Sequence, residues 1–253
     1  MRIGRSAKNR LGYCALVAVM AAALELLVRT GKVSRLVLSP PSEIVTRLWI
    51  DLESGEFWLG FATTVREVLI ALAVSFLLGT ALGYLFFRSG ILRRALEPLL
   101  VAFYSSPALL FYPVLMTFLG QASATVVSMA VLLGTVPIAI NVAVGFSSIE
   151  RIWIKVGRSM NATRPQMLRK VLIPAAMPII ATGLRMGLTF ALIGVVSLEF
   201  LTYSGGLGRL ISWRYFIFDT EGVYSAIVLV AAIAIVINAS LNKAEASVRA
   251  RWA

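Results

Sequence analysis

The chain has 253 residues, 59% of them hydrophobic and 14% charged, with a formal net charge of +12 and a mean hydropathy of +0.87. Soluble domains carry roughly a quarter charged residues, so this composition excludes a soluble globular protein and points to lipid as the solvent. One cysteine, Cys14, rules out an intrachain disulfide framework; the absence of histidine removes the commonest general base and metal ligand; and Lys and Arg confined to gaps between apolar runs fit membrane topology better than nucleic-acid readout.

Apolar runs of about 18 residues or more predict membrane helices. In chain order they cover residues 11–28, 65–87, 98–119, 123–146, 175–201 and 223–241, an all-α polytopic protein of about six transmembrane helices. A basic start followed by an apolar run and Ala21-Ala22-Ala23 has the form of a signal peptide, but the run continues through Leu24, Leu26, Leu27 and Val28, which favours an uncleaved first helix. Gly79 and Gly83 on the second run form Gly-x-x-x-Gly, which permits close helix approach within one chain or across a dimer. Pro107, Pro113, Pro137, Pro178 and Gly183 imply kinks in the third to fifth runs.

Charge sets the orientation. With the N-terminus in the cytoplasm, the inside segments hold sixteen Lys and Arg and the outside segments six (Arg29, Lys32, Arg35, Arg47, Arg209, Arg214), a strong positive-inside bias. The outside stretch 29–64, with Trp49, Phe57, Trp58 and Phe61, reads as a membrane-surface helix. No phosphate-binding loop is present: Thr30-Gly31-Lys32 lacks the upstream glycine and the following hydroxyl residue, so any ATP is hydrolysed by another chain.

Residues 147–174, on the inside, carry two amphipathic patterns. Ile149, Ile152, Trp153 and Val156 recur at helical spacing, and after a break at Met160-Asn161-Ala162-Thr163 a second stripe follows, Met167, Leu168, Val171 and Leu172. Thr163 can cap that second helix, with Pro165 near its start. Such a pair is either a lever for a soluble partner or a pair of interfacial helices on anionic lipid.

Several stretches then carry a resemblance. They are Ser39-Pro40-Pro41-Ser42, Arg93-Arg94-Ala95-Leu96-Glu97-Pro98-Leu99, Arg158-Ser159-Met160, Val171 to Pro178, Thr182-Gly183-Leu184-Arg185, Glu199-Phe200-Leu201 and Ser204 to Ile211. Together, over about residues 38–241, they resemble the permease subunits of bacterial ABC importers of the nitrate/sulfonate/taurine type, within the binding-protein-dependent transport permease family. The resemblance implies a type I ABC importer permease-like fold divided as 1–37 (tail and first helix), 38–241 (permease core, with coupling segment 147–174) and 242–253 (cytoplasmic tail). It implies a bacterial inner-membrane location with both termini cytoplasmic. Implied partners are ATP-binding subunits, an extracytoplasmic solute-binding protein and a second permease copy. No cofactor belongs to the chain itself, ATP and Mg being used by the ATPase, and the solute is a small compound such as a sulfonate or nitrate. The rival is a stand-alone secondary transporter or channel, which needs intramembrane acidic relays or an internal repeat.

The coupling role implied by the resemblance falls on Lys155, Gly157, Arg158, Met160, Asn161, Ala162, Arg164, Met167, Leu168 and Pro174. Lys155, Val156 and Gly157 stand where the family has Glu-Ala-Ala, and Asn161 stands at its glycine; Asn tolerates a left-handed turn next best after Gly. For the translocation path the candidates are Tyr104, Ser105, Ser106, Asn141, Arg185 and Glu199. Tyr104 replaces the Arg usual in the family, which suggests a less acidic solute. Arg185 and Glu199 fall within about 40° of one helix face and about 21 Å apart, one layout placing both at the subunit interface with Glu199 near the outer mouth. Glu25 is expected at the membrane interface.

Overall fold

A backbone in hydrocarbon must satisfy its own N–H and C=O groups, which leaves the helix as the element for each apolar run. The computed structural model describes residues 3–105, 108–120 and 123–252, with side chains described from residue 15 except at 103, 105, 108, 244 and 248–252. Among these residues every regular element is helical: α1 (Ile3–Arg29), α2 (Pro41–Glu53), α3 (Gly55–Arg88), α4 (Gly90–Ser105), α5 (Tyr112–Leu119), α6 (Ser123–Ser147), α7 (Arg151–Ser159), α8 (Arg164–Met167), α9 (Ile173–Thr202), α10 (Gly206–Phe216) and α11 (Thr220–Trp252). A 3₁₀ turn (Ala108–Phe111) precedes α5 and a π turn (Leu168–Leu172) joins α8 to α9.

Among the described residues four stretches are long and apolar enough to cross a bilayer: Gly55–Arg88, Ser123–Ser147, Arg164–Thr202 and Thr220–Ser247. The 27-residue α1 and the α4–α5 pair cover the other two of the six runs expected from the sequence. Three expectations need correction. The third run is not one α-helix, because a 3₁₀ turn over Ala108–Phe111 separates α4 from the eight-residue α5, whose Pro113 lies in the first turn, where its missing N–H is no loss. The second amphipathic segment is not a separate short helix but the start of the 39-residue rod Arg164–Thr202, about 58 Å long. The surface helix expected within 29–64 is α2 alone, since Phe57, Trp58 and Phe61 belong to α3, and residues 242–252 are helical, continuing α11.

The charge-free α6 is the axis of the bundle, packed between α3 and α9. Val126, Met129, Ala130, Ile138, Ala139 and Val142 have no exposed surface. Small residues set the approach. A Cβ on Gly79 would stand 2.7 Å from Ile138, and one on Gly83 2.6 Å from Val142, so this glycine pair serves packing inside the chain. Gly187 meets the same Ile138 from the α9 side. Midway along α3 (Leu69, Leu77, Leu78) and α11 (Ile235, Val236) the outward surface is exposed and apolar, as lipid requires, while exposed Arg66 and Lys243 stand nearer the helix ends.

One end of the bundle is closed by α2, α10 and α11. Phe57, Leu207, Leu210, Ile211, Ala226 and Leu229 form its apolar core. Above them Arg214, almost wholly buried, grips Asp51 with two parallel bonds of 2.7 and 2.6 Å and donates to Gly222 C=O at 2.9 Å. Ser225 Oγ donates to the same carboxylate, and Arg47 reaches Asp219 at 2.8 Å. Burial alone would raise the Asp51 pKa, but Arg214, Ser225 and Arg47 outweigh it and hold the carboxyl below the usual 3.8. Glu25 works similarly on α1: its carboxylate accepts from Ser42 N–H at 3.0 Å and Ser42 Oγ at 2.7 Å, satisfying orphan donors at the start of α2.

Candidate functional site

At the opposite end, the chain leaves α6 into an elbow. Ser147 and Ser148 hydroxyls donate to Ala143 and Gly145 C=O at 2.7 and 3.0 Å, satisfying the last carbonyls of α6 and ending it. α7 then runs for nine residues outside the apolar spans. It ends in a Schellman turn: Ala162 N–H donates to Gly157 C=O at 3.1 Å and Asn161 N–H to Arg158 C=O at 2.9 Å. This geometry needs a left-handed residue, and Asn161 supplies it at φ 53°, so the turn expected at this position forms without glycine. Gln166 Oε1 accepts from Thr163 N–H at 2.9 Å, fixing the start of α8.

The fold of the elbow puts the two apolar stripes to different uses. Met167 seats its thioether against Gly157, where a Cβ would stand 2.6 Å from Met167 Cε, and Val171 adds to the same contact. Leu168 and Leu172 turn into the cluster of Ile138, Val142, Phe146, Ala176 and Ile180. Both Met167 and Leu168 are therefore half-buried internal joints, not outward contacts. The outward apolar surface belongs to α7 itself: Ile152, Trp153 (57% exposed), Val156 and Met160 (78% exposed). Spacing had marked the first three of these, but family position drew attention to their neighbours instead. Exposed Arg151, Lys155, Arg158 and Arg164 surround this surface, with Arg169 and Lys170 beyond, and residues 147–174 hold one acid, Glu150.

Pro174 explains the π turn. It has no N–H to offer Lys170 C=O and its ring would strike that carbonyl, so the preceding turn widens and Ile173 N–H bonds Leu168 C=O instead. α7, its contact with Met167 through Gly157, and the widened turn thus sit at the foot of a rod long and apolar enough to cross a membrane.

The path candidates fall into different places. Tyr104 packs edge-on against Phe190, ring centroids 5.0 Å apart, joining α4 to α9. The Ser105 side chain and all of Ser106 lie outside the described residues. Asn141 Nδ2 donates to Pro137 C=O at 2.8 Å, one turn back along α6, and stands 3.7 Å from Met186 Sδ. Arg185 turns to α11, with Nε 3.0 Å from Glu245 and Nη1 2.6 Å from Asn242 Oδ1.

Glu199 is 0% exposed, which overturns the layout that turned it to a subunit interface. Thr64 Oγ1 donates to its two oxygens at 2.8 and 2.9 Å, and Gly208 N–H to Oε2 at 2.9 Å. Its carboxyl fills the space a side chain on Gly206 would need, so the Gly206 and Gly208 of the sequence motif make room for this knot of α3, α9 and α10. Sequence reading missed Glu67, inside the second span, 1% exposed and next to Glu199 and Ser123. It follows Thr64 by three residues and so shares its helix face, a signal that was available.

Comparison with known proteins places this geometry. The family described as binding-protein-dependent transport system inner membrane component matches residues 75–250. The formylaminopyrimidine transport permease protein ThiX of Halalkalibacterium halodurans is 32% identical over 208 residues, 82% of this chain and 83% of that protein. The taurine transport system permease protein TauC of Escherichia coli K12 is 26% identical over 215 residues, covering 83% and 78%. Among solved structures, the MetNI methionine ABC transporter in an inward-facing conformation superposes with a TM-score of 0.67 at 20% identity, covering 76% of this chain and 96% of that one, a likeness of fold.

Proposed function

Since the chain belongs to the family of binding-protein-dependent transport system inner membrane components, we propose that it is the membrane-spanning subunit of an ATP-driven solute importer and that α7 is where its ATPase grips it. The observation that carries this reading is the exposed apolar face of Ile152, Trp153, Val156 and Met160, on a helix outside the spans and ringed by basic side chains. A surface of this kind, with a central Trp and a charged rim, has the composition of an interface hot spot.

ATPase closure pulls α7. The Gly157–Met167 contact and the Schellman turn pass that displacement to α8, and the continuous rod Arg164–Thr202 carries it across the membrane. The chain lies with both termini in the cytoplasm, two copies enclose the path, and a binding protein delivers solute at the α2–α10 end. ATP and Mg belong to the partner, and the chain itself performs no covalent chemistry. The solute is a small molecule, within a range that for relatives runs from a formylaminopyrimidine to taurine.

The test has two parts. In a Cys14→Ser background, Arg164→Cys and Arg169→Cys should react with a membrane-impermeant thiol reagent only from the cytoplasmic side. The reconstituted complex should also show solute-stimulated ATP hydrolysis that Trp153→Ala abolishes without releasing the permease from the membrane. Labelling from outside, or transport by the chain alone without an ATPase, overturns the reading and favours the stand-alone transporter.

A further inference from the structure

The faces of the bundle differ in what they could pass. The middle stretches of α3 and α11 expose hydrocarbon side chains, Leu69, Leu77 and Leu78 on one and Ile235 and Val236 on the other, with exposed charge toward their ends, at Arg66 and Arg88 and at Lys243. The face built by α4, α6 and α9 is different. It presents Met186 and Ile193, both exposed, the Tyr104–Phe190 ring pair and the Asn141 amide. Met186 and Phe190 are one turn apart on α9, so the Asn141–Met186 and Tyr104–Phe190 contacts stack along it about 6 Å apart. Among the described residues no donor reaches Asn141 Oδ1 and no partner reaches the Tyr104 hydroxyl. A hydroxyl and an amide oxygen left open at half-exposed positions are costly toward lipid and suited to a path.

The same face carries no free charge. α5 and α6 contain no Asp, Glu, Lys or Arg. The two charges of α9 are turned away, Arg185 into Glu245 and Asn242 of α11, and Glu199 into the buried knot with Thr64 and Gly208. On α4, Arg93 and Glu97 pair at 2.6 Å two turns before Tyr104, and Arg94 stands about 15 Å from Tyr104 along the axis. An anion on this face would leave water without a fixed counter-charge.

Taking the transporter reading above as its basis, we propose that the α4–α6–α9 face, closed by the same face of a second copy, is a solute subsite for a flat, uncharged, ring-containing molecule rather than for an oxyanion. The rings of Tyr104 and Phe190 and the polarizable Met186 sulfur offer stacking and edge contacts to a planar π-system. The Asn141 oxygen accepts from a ring N–H or exocyclic amine, and the Tyr104 hydroxyl donates to a ring nitrogen or carbonyl. A heteroaromatic base or a fused-ring compound satisfies all four groups; nitrate or a sulfonate satisfies one or two and brings an unmatched charge.

The experiment uses the permease co-purified with its ATPase and reconstituted in nanodiscs. Binding of riboflavin and of a neutral 4-aminopyrimidine is measured by equilibrium dialysis, with methanesulfonate and nitrate as anionic probes. At least one flat neutral probe should bind tenfold or more tighter than either anion. Tyr104→Ala should weaken that binding at least tenfold, whereas Tyr104→Phe, which keeps the ring, should stay within threefold, separating lost contact from lost folding. Tyr104→Arg, which places a fixed cation on the face, should shift the preference at least tenfold toward the anions. Equal or tighter binding of an anion by the unaltered protein, no binding of any probe, or unchanged binding in Tyr104→Ala overturns the subsite. Failure of the transporter reading looks different: the permease would capture no ATPase at all.

Discussion

The two ends of the bundle are built on opposite principles. At the α2–α10 end charge is internal: Asp51, Arg214, Arg47 and Asp219 satisfy one another, with Arg214 and Asp51 nearly inaccessible. At the α7 end the charge is unspent: exposed Arg151, Lys155, Arg158 and Arg164 surround exposed Ile152, Trp153, Val156 and Met160. The first arrangement is complete within one chain and resists deformation. The second leaves apolar surface and like charges uncovered by the chain itself, a surface that the reading proposed above assigns to the ATPase partner. If α7 takes the force of an ATPase, as proposed above, this asymmetry gives it a rigid cap against which the rod can move.

The largest effect should come from breaking the finished end. Arg214→Ala leaves the Asp51 carboxylate buried and unpaired, and should cost about 3–5 kcal/mol of stability, read as a large fall in the unfolding temperature in detergent. Replacing both partners together, Asp51→Asn with Arg214→Met, should cost less than Arg214→Ala alone, because no lone charge remains. The same pair gives a pH signature. Because the folded Asp51 pKa lies below its unfolded value, its contribution is present above pH ~3.8 and declines as pH falls toward the folded pKa. Unfolding midpoints between pH 7 and pH 3 should therefore drop for the unaltered protein below about pH 4, and drop less for Asp51→Asn.

The next effect lies at the unfinished end and should be invisible to stability. Trp153→Ala removes a side chain with 57% exposure, so the unfolding temperature should hardly move. Affinity for the ATPase should fall by about 2 kcal/mol or more, roughly 30-fold, in a binding titration. If instead stability falls and affinity is kept, α7 packs against its own chain and the contrast between the ends is lost.

Between these two lies the joint. Gly157→Val would force a side chain into Met167 and should cost about 1–3 kcal/mol by overpacking. Here ATPase capture should persist while transport per ATP hydrolysed falls, since the α7 face is intact and its clamp to α8 is spread. Equal loss of capture and coupling would merge the clamp with the docking face.

How much of this was legible follows from what each feature depends on. Spans follow from solvent, which acts on composition and length, so α6 and the apolar middles of α3 and α11 were readable directly, while the start of α3 at Gly55 and the extension of α11 to Trp252 were not. The Asn161 turn was readable because a left-handed residue has few solutions. What the sequence hid depends on rotation and pairing. Nothing local tells that Arg185 points toward Asn242 and Glu245, some 57 and 60 positions on, or that Glu199 points inward to Thr64. Helix-face arithmetic put those two on one side of α9 without saying which side was covered. Met167 and Leu168 misled for the same reason: an amphipathic stripe shows that a face is buried, not whether its cover is another chain or its own rod. Pro107 and Pro113 marked the third run for interruption, but its form, a 3₁₀ turn at Ala108–Phe111 followed by a helix of only eight residues, depends on how α4 and α5 dock on α6.

The smallest and sharpest prediction concerns Lys155. It stands where the family carries an acid, it is exposed, and it belongs to a rim holding one acid among six bases across 147–174. An exposed charge contributes at most about 1 kcal/mol to a contact, so Lys155→Glu should leave both folding and capture nearly unchanged at physiological salt. Rate is where it should show, because rim charges steer encounter. If the ATPase groove is acidic, as this basic rim implies, Lys155→Glu should slow association several-fold at low salt and reduce its ionic-strength dependence, measured by stopped-flow mixing of labelled subunits. Faster association after the change would mean a basic groove, and the rim would then be matched to anionic lipid headgroups rather than to the ATPase.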